Sequence, residues 1–175
     1  MTDRKPRKPA PKGMSNSMDM EIRTRYLQQC RDLIEEHGLM VQAVMAQPFA
    51  FFYTVGMTPV LGYELVLIGL PRDLAGSFLN TLAARLRETT IADGELIEDL
   101  SNLPLKLRTQ QVVDASTGED LREALALAFS LGYAPTSFRQ VLWPDPMGRF
   151  PDEAGYDYPC SQNVLDVIGP DRTQH

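Results

Sequence analysis

The chain has 175 residues, of which 43% are hydrophobic and 23% are charged, and its formal net charge is −6. This is the composition of an ordinary globular protein, which excludes disorder throughout the chain. A body of about 155 residues buries roughly 70% of the surface that its unfolded chain exposes, so the core needs no metal or disulfide. The two cysteines, Cys30 and Cys160, form no closely spaced pair and favour a reducing, cytoplasmic location.

Residues 1–17 form a basic segment that we predict to be a disordered tail. They carry five Lys or Arg residues against Asp3 alone, so their charge is +4. Since the whole chain has a net charge of −6, the remaining residues carry −10. A segment of this composition cannot bury enough surface to order itself. The tail can contact phosphates, but it has no aromatic residue to stack on bases, and an acidic body disfavours nucleic acid as a partner.

The next part of the chain predicts one helix and three strands. The helix is capped by Ser17 or Asp19 and ends at His37 and Gly38. The first strand begins at about Leu39. Pro48 separates it from the second strand, Phe49 to Val55, and the third strand runs from Tyr63 to Gly69. The helix carries an apolar stripe of Ile22, Tyr26, Cys30, Leu33 and Ile34. Residues 39–63 lack charge, but Pro, Gly and Gln interrupt them, so short strands are expected instead of a membrane span.

A second helix is predicted from Pro71, with Leu74, Phe78, Leu82 and Leu86 spaced four apart on the face that meets the sheet. Asp93 and Gly94 mark a turn, and a strand runs from Leu103 to Leu107 and on through Val112 and Val113. A third helix opens at Ser116 and Glu119 and stops near Gly132, and a last strand covers Phe138 to Trp143.

The order of these elements predicts an α+β domain over residues 18–168, followed by a flexible C-terminus at 169–175. Consecutive strands without alternating crossovers favour a mostly antiparallel sheet of about five strands, covered by about three helices. The uncharged strands leave homo-oligomerisation through an exposed edge open.

Three segments carry a resemblance to a known family: Phe51 to Met57, Glu64 to Leu67, and Gln140 to Pro151. With them the chain, from about Ile22 to Leu165, resembles the bacterial family catalogued as domain of unknown function 4262. One departure is Gly62-Tyr63 before Glu64, where relatives tend to have His-Pro or a similar pair. The resemblance implies a shared fold and a shared site region, and it implies no reaction.

Glu64, Asp145 and Arg149 are the candidate catalytic residues. A carboxylate in an apolar strand, or one held by a Pro-stiffened turn, can serve as a general base, and Arg149 can contact an anion. Each also has a structural interpretation: Glu64 on a solvated strand face, Asp145 as the cap of its turn, and Arg149 in a surface ion pair.

Tyr53, Thr54 and Trp143 are the candidate binding residues, with Trp143 either walling a cleft or lying in the core. We predict that the Tyr53-Thr54 strand, Glu64 and the turn from Trp143 to Arg149 converge on one concave site. Neighbouring strands and the need of a buried polar group for a partner support this prediction.

No metal or cofactor is expected, because the sequence has no His pair at helical spacing, no clustered Asp motif and no phosphate-binding loop. Two hypotheses of function concern the body of the protein, and a third is nucleic-acid association through the tail, seen as salt-sensitive binding that is lost when residues 1–17 are deleted. One is a non-enzymatic binding or interaction domain for an unknown protein or small molecule. The alternative is a small hydrolase-like or lyase-like enzyme, in which Glu64 or Asp145 acts as general base with an Arg149 anion contact.

Overall fold

The structure, a computed structural model, describes residues 13–45, 50–100, 102–111 and 119–157. The fold is α+β, as predicted. The elements follow one another as α1 (Gly13–His37), β1 (Met40–Met45), β2 (Ala50–Val55), α2 (Thr58–Leu61), β3 (Tyr63–Ile68), α3 (Arg72–Glu88), β4 (Lys106–Gln111), α4 (Glu119–Ser130) and β5 (Ser137–Leu142).

The five strands form one sheet in the order β1-β2-β3-β5-β4. The pairs β1–β2, β2–β3 and β4–β5 are antiparallel, and β3–β5 is parallel. The sheet is therefore mostly antiparallel, as the sequence predicts. The parallel pair arises because β5 returns between β3 and β4 after the long excursion through α3, β4 and α4.

Both faces of the sheet are covered. Along β3, Leu65 and Leu67 belong to a core that includes residues of α3, whereas Val66 and Ile68 belong to a second core that includes residues of α1 and α4. This alternation follows from the two-residue period of a strand. Because β2, β3 and β5 are buried on both faces after their first residue, β2 and β3 read in sequence as almost continuous apolar runs.

The apolar stripe of α3 differs from the prediction. Leu74 is 48% exposed and Phe78 is only partly buried, while the buried positions are Ala75, Leu79, Leu82, Ala83 and Leu86. Residues spaced strictly four apart rotate by about 40° around a helix at each step, so four of them cannot stay on one face. Alternating steps of four and three, as from Ala75 to Leu86, hold the stripe against the sheet.

The helix ends show two further points. Helix α1 ends at His37, followed by Gly38 at a positive φ of 78°, as predicted, but it begins at Gly13, before the predicted caps. The four-residue helix α2 was not predicted.

Some predictions lie outside the described residues: tail residues 1–12, Pro48, Phe49, Val112, Val113, Ser116, Cys160 and the C-terminus at 169–175. The domain limits therefore stay a prediction.

Candidate functional site

The carboxylate of Glu64 lies fully buried and accepts five hydrogen bonds. Oε1 accepts from the backbone N–H of Gly56 (3.0 Å), the backbone N–H of Thr58 (2.9 Å) and the Thr58 hydroxyl (2.6 Å). Oε2 accepts from the Thr54 hydroxyl (2.8 Å) and the backbone N–H of Met57 (3.2 Å). Every donor lies between Thr54 at the end of β2 and Thr58 at the start of α2, so Glu64 holds this connection in place.

The backbone of the connection explains why it needs an acceptor. Gly56 has a φ of 113°, and a Cβ there would lie 2.9 Å from Ile34 Cγ2 and 3.1 Å from the carbonyl oxygen of Gly38. The chain thus turns tightly against α1 where Val55, Gly56 and Met57 are buried. N–H groups buried in such a turn have no strand partner, and the Glu64 carboxylate satisfies them.

Thr54 links this cluster to the sheet. The β2–β3 register ends with Tyr53 opposite Val66, and one residue further the Thr54 hydroxyl oxygen accepts from the backbone N–H of Leu65 at 2.8 Å. The same hydroxyl donates to Glu64. Thr54 therefore replaces a backbone ladder bond with a side-chain bond, and its role here is a structural hydrogen bond.

Asp145 organises the loop that follows β5. Its Oδ1 accepts from the backbone N–H groups of Met147 (2.8 Å) and Arg149 (2.9 Å), and its Oδ2 accepts from Arg149 Nε (2.8 Å) and the backbone N–H of Asp157 (3.1 Å). Arg149 also forms an ion pair with the carboxylate at 2.8 Å. The backbone of Gly148, at a positive φ of 81°, donates to the Asp145 carbonyl and closes the turn.

The environment of Asp145 keeps its carboxylate ionised. Burial by itself raises the pKa of this group, but hydrogen bonds from the backbone N–H groups of Arg149, Asp157 and Met147 and from the Arg149 side chain outweigh it and hold the pKa below its ordinary value. Arg149 thus pairs with the buried carboxylate of Asp145. The sequence analysis had offered an ion pair with a surface carboxylate as its structural role.

The two candidate aromatic residues lie in the two cores. Trp143 is 7% exposed in the core that includes α3, and its indole N–H donates to the carbonyl of Ile68 at 2.9 Å. Tyr53 is 2% exposed in the other core and lies beside Phe51, with ring centroids 5.7 Å apart. Burial raises the pKa of the Tyr53 hydroxyl, with smaller contributions from neighbours that include Tyr26. Neither aromatic side chain forms an open wall.

The predicted convergence on one concave site is wrong. In the parallel β3–β5 pair, Glu64 is opposite Phe138 at the start of both strands, whereas Trp143 and Asp145 follow the end of β5. At about 3.3 Å per residue, the five residues from Phe138 to Trp143 span roughly 16 Å. Tyr53 and Thr54 lie near Glu64, and Asp145 and Arg149 form a separate cluster.

The sequence analysis missed a third polar cluster, centred on Arg139 of β5. The Arg139 guanidinium is almost buried and donates to the carbonyl of Ile91 (2.8 Å) and to Asp93 Oδ1 (2.7 Å). Asp93 also accepts from the backbone N–H and hydroxyl of Thr109, while Arg139 Nε has no partner. A cation inside an apolar strand requires a partner, and that requirement is the signal that would have paired it with the Asp93 turn.

The described residues offer little for a metal or a membrane. Within residues 13–45, 50–100, 102–111 and 119–157, no group of three or more His, Cys, Asp or Glu side chains could hold a metal ion. In the same part of the chain, no helix has the length and apolar character needed to cross a bilayer.

Comparison with known proteins gives one match. A family model described as a domain of unknown function, DUF4262, matches residues 33–157. No curated protein and no solved structure matches the chain. The matched range contains both carboxylate clusters and the Arg139 pair, and it covers more than half of the 175 residues. This chain therefore belongs to the DUF4262 family, whose description assigns no reaction.

Proposed function

We propose that this protein is a non-enzymatic binding domain, located in the cytoplasm, whose recognition element is the loop 144–157. The observation that carries the proposal is that the Asp145 carboxylate binds its own loop, in which it accepts four hydrogen bonds and forms an ion pair with Arg149. A loop fixed in this way loses little conformational entropy when it binds a partner, and this preorganisation favours binding.

The same hydrogen bonds argue against the enzymatic alternative. A general base needs a lone pair directed at the substrate proton and within hydrogen-bond reach of it. Glu64 is fully buried with five donors around it, and Asp145 is 4% exposed with its oxygens directed into its own loop. The two carboxylates also lie at opposite ends of the β3–β5 pair, so they cannot act as an acid and base on one substrate.

The exposed part of the loop indicates the chemistry of the partner. Met147 is 76% exposed at the tip and lies between the exposed residues Pro146 and Gly148. A flexible thioether side chain suits an apolar recess on another protein. Phe150 is buried below the tip, and the Lys106 ammonium lies 4.1 Å from the centre of its ring, which joins the loop to β4. We therefore propose a protein partner with an apolar pocket for Met147.

A site-specific photocrosslinker tests this proposal. The crosslinking amino acid replaces Met147 in one variant and Val60 in a control, since Val60 is a similarly exposed apolar residue, at 67%, on α2. In bacterial cells that express the full chain, we expect a discrete heterologous adduct from position 147 and none from position 60.

A second variant links the adduct to the loop geometry. Asp145→Asn removes the charge that aligns Met147 and Arg149, so the adduct at position 147 should fall while native Trp143 fluorescence is retained. Equal adducts at both positions, or an adduct indifferent to Asp145→Asn in a folded variant, would contradict a recognition role for the loop.

A further inference from the structure

The two edges of the sheet differ in how their backbone groups are satisfied. On the β4 side, Gly94 N–H donates to the carbonyl of Leu107 (2.9 Å), and Thr109 N–H donates to Asp93 (2.7 Å). Ile97 and Leu105 exchange two further backbone hydrogen bonds. The segment 93–97 therefore covers the outer edge of β4, and an additional strand cannot pair there.

The β1 edge has no such cover among the residues that the structure describes. Strand β1 ends the sheet and pairs only with β2 there. One local hydrogen bond satisfies a backbone group of β1: the Gln42 side-chain amide donates to the carbonyl of Ala43 at 3.1 Å. The strand Met40–Met45 contains no charged residue and no proline. Natural sheets use charges, prolines or covering loops to prevent edge pairing. Strand β1 has neither a charge nor a proline, and no covering loop lies over it in the part of the chain that the structure describes.

An exposed apolar stripe lies beside this edge on the α1 side. Ile22 and Tyr26, one turn apart, form this stripe and are 59% and 39% exposed, whereas Cys30, one turn further on, is buried. The hydroxyl of Tyr26 donates to the Gln42 side chain at 2.9 Å, which places the stripe next to β1. Among the described side chains of α1, burial in the core therefore holds at Cys30 and Ile34 and is absent at Ile22.

A groove flanks β1 on the other face. Its volume is about 410 Å³, and it is lined by Val41, Ala43 and Met45 of β1 and by Arg72 and Asp73 at the start of α3, among other residues. Met45 is 76% exposed at the end of the strand. The groove thus combines an apolar floor with one charge of each sign, a pattern that can be complementary to itself.

We propose that a second copy of this chain occupies the edge, with β1 of the two copies paired antiparallel about a two-fold axis perpendicular to the sheet. This axis keeps equivalent faces on the same side, so the α1 stripes of the two copies meet on one face and the two grooves meet on the other. An uncharged strand pairs with itself without placing like charges opposite each other. One symmetry operation thus covers the free edge, the stripe and the groove.

The alternative occupant is the C-terminal segment of the chain itself. Residues 158–175 contain four closely spaced aliphatic residues, Val164, Leu165, Val167 and Ile168. This occupant is intramolecular, so its protection of β1 is independent of protein concentration. A second copy protects β1 only as far as the dimer is populated, and the two occupants can therefore be distinguished in the intact chain.

Sedimentation velocity on the full-length chain tests the proposal. We expect a concentration-dependent dimer at concentrations up to about 0.1 mM, the range in which weak complexes become populated. Met45→Glu and Ile22→Glu each place a charge at the proposed interface on an exposed side chain, so folding should be preserved. Each should weaken dimerisation by about tenfold or more, since charges buried without a partner oppose association. Val60→Glu, which makes the same charge change on α2, should leave the dimer unchanged.

Hydrogen exchange completes the test at those β1 amides that point away from β2, because the other amides are already protected by the β1–β2 pairing. The proposal expects protection that falls on dilution and is lost in Met45→Glu. A monomer at every concentration would overturn it, as would equal weakening by Val60→Glu. Protection of β1 that does not change on dilution would also overturn it, because the chain's own C-terminal segment would then be the occupant.

Discussion

Replacing Glu64 by Gln tests whether its carboxylate is a structural acceptor. The substitution keeps the size of the side chain and turns one acceptor oxygen into an NH₂ donor. If the NH₂ replaces Oε2, it faces the Met57 N–H and the Thr54 hydroxyl; if it replaces Oε1, it faces the N–H groups of Gly56 and Thr58. Either orientation leaves at least one buried backbone donor unsatisfied.

The expected loss of stability follows from these unsatisfied donors. One buried unsatisfied group costs about 1–3 kcal/mol, and the loss of charge weakens the remaining bonds, so we expect Glu64→Gln to lower the free energy of unfolding by about 2–4 kcal/mol. This is a large fraction of the roughly 5–15 kcal/mol that stabilises a typical domain. The variant should therefore fold at low temperature but unfold at a clearly lower urea concentration.

Urea unfolding followed by fluorescence provides the measurement. Trp143 is the single tryptophan and is buried, so its emission reports the loss of the core directly. Glu98→Gln, at an exposed position, is the matched control, and it should change stability by no more than about 0.5 kcal/mol. Equal stability of Glu64→Gln and Glu98→Gln would refute the structural role, and Glu64 would again be a candidate base.

Three further predictions concern Asp145, the core face of α3 and the Arg139–Asp93 pair. Because the folded-state pKa of Asp145 is lowered, its contribution is complete above about pH 4 and is lost as pH falls through the folded pKa, so the stability difference between wild type and Asp145→Asn should shrink in acid titrations. Leu79→Ala should cost about 2–5 kcal/mol in urea unfolding, and Phe78→Ala should cost less than a fully buried Phe because its ring is partly exposed. Asp93→Ala should cost more than Arg139→Met in the same assay, since it leaves a nearly buried cation without its carboxylate.

The fold was predictable because periodicity dominates it. The short apolar runs of the strands and the helical spacing of apolar residues predict an α+β domain with helices covering the sheet, and the structure confirms this fold. The phase of α3 was not predictable from a four-residue spacing, because Ala75 and Ala83 are as well buried as the leucines and give a weak hydrophobic signal. Helix α2 was missed because it has only four residues, too few for any period to show.

The candidate site was predictable in its residues but not in its geometry. The sequence indicated that Glu64 and Asp145 are unusual, and both are buried with several hydrogen bonds. Their separation follows from the parallel pairing of β3 with β5, which depends on the path of about seventy intervening residues. No local pattern encodes that pairing, so neighbouring strands in the chain suggested a convergence that the register forbids.

Both carboxylates perform the same physical task at two places. Each follows or faces a strand end where the chain leaves the sheet, and each accepts from N–H groups that have lost their ladder partners. Carboxylates suit this task because one side chain offers about four lone pairs and acts only as an acceptor when ionised. The acidic residues that looked most like catalysts are therefore part of the scaffold, and the proposed recognition role is assigned to the exposed part of the loop 144–157.

The two proposals combine in a way that bears on affinity. A single exposed methionine on a rigid loop offers a small contact area, which predicts weak binding for one copy. Pairing through β1 leaves Met147 free, because β1 and β5 are separated by two strands in the sheet order. A dimer therefore presents two loops at a fixed distance. On a partner with two sites, the second contact becomes intramolecular, so overall binding can exceed that of one loop by about 10²-fold or more where the geometry permits both contacts.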